Sequence, residues 1–303
     1  MDIAWITARQ LLIMLLFMSC GFILSWKKLI TEAGSKALAT LLIYLVIPAV
    51  VIRSFLTEQT PEKTTALLIS IALAVACLAI SILISRLLFN KRPIDEFGAE
   101  FSNAGFLGVP LISATMGAEY VFYVAVFVAL MNIMQWAYGQ KRLGMEFKSW
   151  KPMLLNPLVC SLVIGLLLYF IQIPLPSIVT DSISAVTACN SPLAMILLGV
   201  YLGQTSPAHV FATRSVWETC LVRVLLVPVA TLLLLTLIPV DANLRLAIFF
   251  VAIAPIGSNV SIYAQRANLD HRCATGAVCL STLLAMVTIP LLAAAAALLW
   301  KIG

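Results

Sequence analysis

The chain has 303 residues, of which 62% are hydrophobic and only 11% charged. A water-soluble domain holds roughly 45–50% apolar and about 25% charged residues, so this composition excludes a soluble enzyme and indicates a polytopic helical membrane protein. The net charge of +6 is spread through short loops rather than gathered in a patch, which speaks against nucleic acid and for a lipid bilayer as the partner.

Apolar runs of about 20 residues predict ten membrane spans. They fall at 5–25, 36–56, 65–89, 98–117, 119–138, 154–172, 183–203, 215–238, 243–264 and 274–300. Loops after the odd-numbered spans collect most of the basic residues, among them Lys27, Lys28, Arg92, Lys141, Arg142, Lys148, Lys151, Arg214 and Arg266; the opposite side has only Arg9, Arg53, Lys63, Arg245 and Lys301. By the positive-inside rule the first group is cytoplasmic and both termini are expected outside.

The first span, between Trp5 and Trp26, reads as a retained helix rather than a cleaved signal peptide, because Asp2 leads it and Lys27 and Lys28 follow it. Pro48 lies within the second span. The third ends at Arg86, before the charged turn Lys91-Arg92-Pro93-Ile94-Asp95-Glu96.

In the fourth span, Ser102-Asn103-Ala104-Gly105-Phe106-Leu107-Gly108-Val109-Pro110-Leu111 places an amide, two glycines and a proline inside an apolar segment. Proline removes a backbone donor and clashes with the preceding turn. Lipid cannot satisfy the groups so freed, and the segment is therefore expected to be buried in protein or to line a wet cavity. Glu100, just before it, reads either as a protonation or cation site or as a solvated carboxylate in a first turn. Asn132 and Gln135 in the fifth span read either as cavity-facing amides or as interhelical hydrogen bonds.

A charged connector, 139–152, divides the chain into halves 1–138 and 153–303 of five spans each. Because five is odd, the second half enters the membrane inverted, as an inverted repeat requires. Echoes of the first half follow: Asn190-Ser191-Pro192 in the seventh span, and Ala254-Pro255-Ile256-Gly257-Ser258-Asn259-Val260-Ser261 in the ninth. Aligning Pro255 with Pro110, or Ser261 with Pro110, gives two registers, both with an interruption in the ninth span. Paired interrupted helices at corresponding positions are the sequence pointer to a transporter site. In the eighth span Glu218 and Arg223 read as a structural ion pair, or Arg223 as a mobile counter-charge. The seven cysteines show no metal-ligand spacing, His209 and His271 fall in loops, and no H-E-x-x-H or G-x-S-x-G constellation occurs, so no cofactor and no enzymatic activity are expected.

Asn103-Ala104-Gly105-Phe106-Leu107-Gly108-Val109-Pro110-Leu111 resembles the signature of the auxin efflux carrier family, which includes plant auxin carriers and bacterial malate or malonate permeases. Ala254-Pro255 with Gly257, Ser258 and Asn259, and Leu280-Ser281-Thr282 with Thr288-Ile289-Pro290, are similar to the family pattern as well. The resemblance implies an all-helical fold related to bile-acid symporters and NhaA-type antiporters: two inverted five-helix repeats, with broken fourth and ninth helices that cross. Spans one, two, six and seven are implied as scaffold. It further implies an elevator-type secondary transporter of small carboxylate anions in the inner or plasma membrane, a homodimer being one allowed assembly. On it, the substrate-binding candidates are Asn103, Gly105, Gly108, Pro110, Asn132, Pro255, Ser258, Asn259 and Ser261, with Trp136 close by. Pro48, Glu100, Gln135, Asn190 and Arg223 are candidates for gating or for coupling to H+ or Na+. Asn103→Ala and Pro110→Ala are both expected to cut transport. The short central loop resembles that of the bacterial branch. A sodium-coupled bile-acid-type symporter and a non-transporting receptor are the rival readings.

Overall fold

A computed structural model describes residues 3–146, 149 and 151–302, and among them the chain is helical, without strands. Seven helices are long and apolar enough to cross a membrane: α1 (Ile3–Trp26), α2 (Glu32–Phe55), α3 (Pro61–Phe89), α6 (Ala118–Arg142), α8 (Ser177–Gln204), α9 (Arg214–Thr236) and α12 (His271–Trp300). Shorter apolar helices stand where the fourth, sixth and ninth spans are expected: α5 (Ala104–Thr115), α7 (Pro157–Ile171) and α10 (Ala242–Ala252). The polar helices α4 (Pro93–Glu100) and α11 (Asn259–Arg266) complete the fourth and ninth segments. Asp2 and Lys148 lie outside the described residues, as does the His209 side chain.

Local chemistry sets the helix starts. Thr60 accepts a hydrogen bond from the Lys63 amide before α3, Asn156 from Leu158 before α7, and Asp241 from Leu244 before α10. Each cap satisfies one of the N–H groups a first turn leaves without an intrahelical partner. Asp270 caps α12 through the amides of Arg272 and Cys273.

Packing separates lipid-facing from protein-facing surfaces. Leu16, Leu68, Leu87, Leu291 and Leu298 stay exposed, as suits side chains whose solvent is hydrocarbon. Against this, α1 and the second half of α8 come into backbone contact. A Cβ on Gly199 would sit 1.9 Å from the Met18 carbonyl oxygen, and one on Gly21 would sit 2.0 Å from that of Ile196. Small residues at such a crossing let dispersion replace the hydrophobic drive that lipid cannot supply.

Four turns widen to the π form: Leu42–Val46, Ala104–Gly108, Gln135–Gly139 and Val222–Leu226. Three of them run directly into Ile47-Pro48, Val109-Pro110 and Val227-Pro228. The widened turn accommodates the missing donor and the ring of the proline that follows. Consequently Pro110 is inside a helix and breaks nothing. The interruption of the fourth segment lies earlier, at residues 101–103, and that of the ninth at 253–258.

Candidate functional site

At the two interruptions the backbones pair with each other. Ser102 and Ile256 form an isolated antiparallel bridge. The Asn103 amide donates to the Pro255 carbonyl at 2.7 Å, and the Gly257 amide donates to the Phe101 carbonyl at 3.0 Å. Gly257 is required there by proximity: a Cβ would lie 2.9 Å from the Ser102 carbonyl oxygen. Ser102 thus faces Ile256, a register neither proline alignment anticipates, because the prolines do not mark the breaks.

Each interruption leaves a helix C-terminus on one side and a helix N-terminus on the other, and the two poles are treated differently. The C-terminal carbonyls of α4 and those that follow α10 converge on Arg223, which is only 1% exposed. Its Nε donates to the Ala254 carbonyl at 3.0 Å, and Nη1 donates to Ser81 Oγ at 3.1 Å and the carbonyls of Ala99 and Glu100 at 3.2 and 3.5 Å. Nη2 donates to the Ala252 carbonyl. A guanidinium here satisfies the orphan acceptors and offsets both negative dipole ends. The expected pairing of Arg223 with Glu218 does not form. Glu218 instead binds Arg92 at 2.5 Å and Arg214 at 2.8 Å, i,i+4 on its own helix, while Asp95 accepts from Arg92, Ser215 and Thr219.

The N-terminal pole opens into a cavity of about 340 Å³. Asn103, Gly105 and Phe106 bring the start of α5 to it, and Gly257, Ser258 and Asn259 bring the start of α11. Ser102, Met131, Asn132 and Trp136, Tyr44 and Ile47, and Leu155 to Leu158 form further walls. Asn103 is 4% exposed, and its Nδ2 has no hydrogen-bond partner. Asn259 Nδ2 donates to Gln135 Oε1 at 2.9 Å, whereas Asn132 Nδ2 donates to the Val128 carbonyl of its own helix. Arg266 also borders the cavity, and among the described residues no carboxylate pairs with it.

Of the substrate-binding candidates, Asn103, Gly105, Asn132, Ser258 and Asn259 therefore share one cavity. Gly108 packs against Val251, where a Cβ would come within 3.1 Å of Cγ1. Pro255 contributes its carbonyl to the pairing, and Ser261 Oγ accepts from Thr275 at 3.0 Å. Pro110, Pro48 and Asn190 lie outside the lining; Asn190 is buried with Oδ1 unpartnered. Glu100 is 1% exposed, which overturns the reading of a solvated carboxylate. In the sequence Arg266 reads only as a basic loop residue, whereas it is the last residue of α11. Its signal was periodicity: Asn259, Ile262, Tyr263 and Arg266 follow i, i+3, i+4, i+7, one face of one helix, and all four line the cavity.

A family model described as "Membrane transport protein" matches the chain in two segments, residues 6–143 and 140–293. No curated protein matches it.

Proposed function

The chain belongs to the auxin efflux carrier family of membrane transport proteins, and from that premise we propose that it carries small carboxylate anions across the bilayer by alternating access. One observation carries this reading: the first turns of α5 and α11 meet at a single cavity that also holds the Asn103 side-chain Nδ2 and Arg266, neither of which has a partner among the described residues. First-turn N–H groups and the positive dipole ends of helices stabilise an anion without a full fixed charge. A volume of about 340 Å³ suits a small organic acid.

The cavity is walled by Leu155 to Leu158, directly after the connector. That side is cytoplasmic by the distribution of basic loops, so this conformation faces inward. In the elevator reading, α4, α5, α10 and α11 move together past α2 and α7, carrying the paired interruptions and the bound anion. The two matched segments meet at residues 140–143, which supports a chain of two halves joined through the connector.

A sodium-coupled symporter would use the carbonyls at the half-helix C-termini as cation ligands. Arg223 engages those carbonyls here, which favours a sodium-independent carrier. The test is counterflow in proteoliposomes against a panel of mono- and dicarboxylates, with and without sodium and pH gradients. Saturable exchange of at least one carboxylate, indifferent to sodium, is the expected result. Ligand binding with no flux would assign a receptor instead, and a sodium requirement would assign the symporter.

A further inference from the structure

Beside the paired interruptions, and outside the anion cavity, lies a second polar cluster. Glu100 is the last residue of α4, and its side chain is buried, with no hydrogen-bond partner for Oε2 among the described residues. Tyr138 of α6 donates to Glu100 Oε1 at 3.1 Å and stands 3.4 Å from Glu96 Oε1. Glu96 is fully buried and is held by Arg142, Nε to Oε1 at 2.8 Å and Nη2 to Oε2 at 2.6 Å.

The neighbouring charges do not neutralise Glu100. The guanidinium of Arg142 is committed to Glu96 and to Asn90, and Arg86 of α3 is solvent-exposed. Arg223 of α9 reaches Glu100 only through the backbone carbonyl, at 3.5 Å. On α4 itself, Asp95 is bound to Arg92, Ser215 and Thr219. Tyr263 of α11 packs its ring on Phe97. Two buried carboxyl groups thus lie beside one arginine, which binds Glu96 alone of the two. A buried carboxylate with an unpartnered oxygen next to a second carboxylate is costly, and a bound proton on one of them removes that cost.

We propose that Glu100 is the proton-binding residue of this carrier, and that one proton on Oε2 accompanies each anion. The proposal rests on the transport reading above and supplies its coupling ion. Arg142, partly exposed, with Glu96 and Tyr138, links Glu100 to the connector side of the protein. The link to the anion is short. Asn103 follows Glu100 by three residues, and Tyr138 follows Gln135, the partner of the cavity residue Asn259, by one helical turn. Whatever displaces the interruption displaces both groups.

The experiment uses full-length protein in proteoliposomes with labelled malonate as probe. With the membrane potential clamped at zero by potassium and valinomycin, because a malonate dianion with one proton still carries a net negative charge, an inside-alkaline gradient of one pH unit should raise wild-type accumulation about tenfold over the value without a gradient. In Glu100→Gln that ratio should fall to about one, and Glu100→Asp should restore part of it. A Glu100→Gln protein that keeps the wild-type ratio, or a wild type indifferent to pH, overturns the proposal. A second measurement does not depend on flux: infrared difference titration of purified protein should reveal a protonated carboxyl band that vanishes in Glu100→Gln and shifts in Tyr138→Phe. If that pattern appears while no carboxylate moves in any variant, the transport reading fails and the proton site stands. A band that persists in Glu100→Gln removes the proton site.

Discussion

The two poles of the paired interruptions are made from the same backbone defect and have opposite fates. On the C-terminal side four main-chain carbonyls converge on one buried guanidinium. On the N-terminal side the first turns of α5 and α11 face a cavity, with an asparagine amide left without a partner. A helix end carries about half an elementary charge of either sign, so the protein could have sealed both ends or opened both. It seals the negative pole with a fixed cation and leaves the positive pole open to the cavity. One end therefore bears on stability and the other on binding, and variants should divide the same way.

The largest effect is expected at the sealed pole. Arg223→Met leaves the carbonyls of Ala252 and Ala254 without this donor, while Ser81 still serves Ala99 and Glu100, and each buried acceptor left unsatisfied costs about 1–3 kcal/mol. Thermal unfolding of the detergent-purified protein should register this as a loss of most of the folded yield, with Arg223→Lys in between. If Arg223→Met unfolds like the wild type, the sealed pole is not structural and the comparison collapses.

At the open pole, Asn103→Ala should do the reverse. Its Nδ2 bonds to nothing in the protein, so stability should hold or rise slightly, while a hydrogen bond to a charged ligand is worth about 1.5–3 kcal/mol, or roughly 10- to 100-fold in affinity. Calorimetric titration with the carboxylate found by counterflow measures the affinity, and a thermal unfolding scan of the same preparation measures the stability. Arg266→Gln belongs on the same side with a smaller effect. The residue is exposed, so screening limits it to about 1 kcal/mol, a few-fold in affinity, and that difference should shrink as salt is raised.

How far the sequence foretold this arrangement depends on the range of the contacts involved. Long spans such as Pro61–Phe89 announce themselves, since an uninterrupted apolar run has few other uses. Asn103, Ser258 and Asn259 were legible because amides and hydroxyls in apolar segments need a reason. What joins Arg92 to Glu218, 126 residues away, or Arg223 to carbonyls of two other helices, has no local signature; the nearness of two opposite charges in one span points to the wrong partner, at a five-residue spacing that a helix does not favour. Nor could composition tell that Glu100 is buried, because a carboxylate close to a charged turn looks the same whether it faces water or Tyr138.

Proline misled most, and Pro110→Ala turns that error into the smallest and sharpest test of the comparison. Pro110 and Asn103 stand in one motif and read together as one break. In the folded chain Asn103 lies at the interruption, whereas Pro110 follows the widened turn Ala104–Gly108 inside α5, as Pro48 and Pro228 follow theirs. A proline in an ordinary helix interior costs about 3 kcal/mol, chiefly through its missing donor and the clash with the carbonyl of the preceding turn. The widened turn already relieves both, and Gln135–Gly139 keeps the same geometry without any proline after it. Alanine at 110 should therefore change stability by less than about 1 kcal/mol and transport by less than about threefold. A loss of transport as deep as that of Asn103→Ala would mean that the widened turn depends on its proline and that the open pole extends one turn further into α5 than the cavity does.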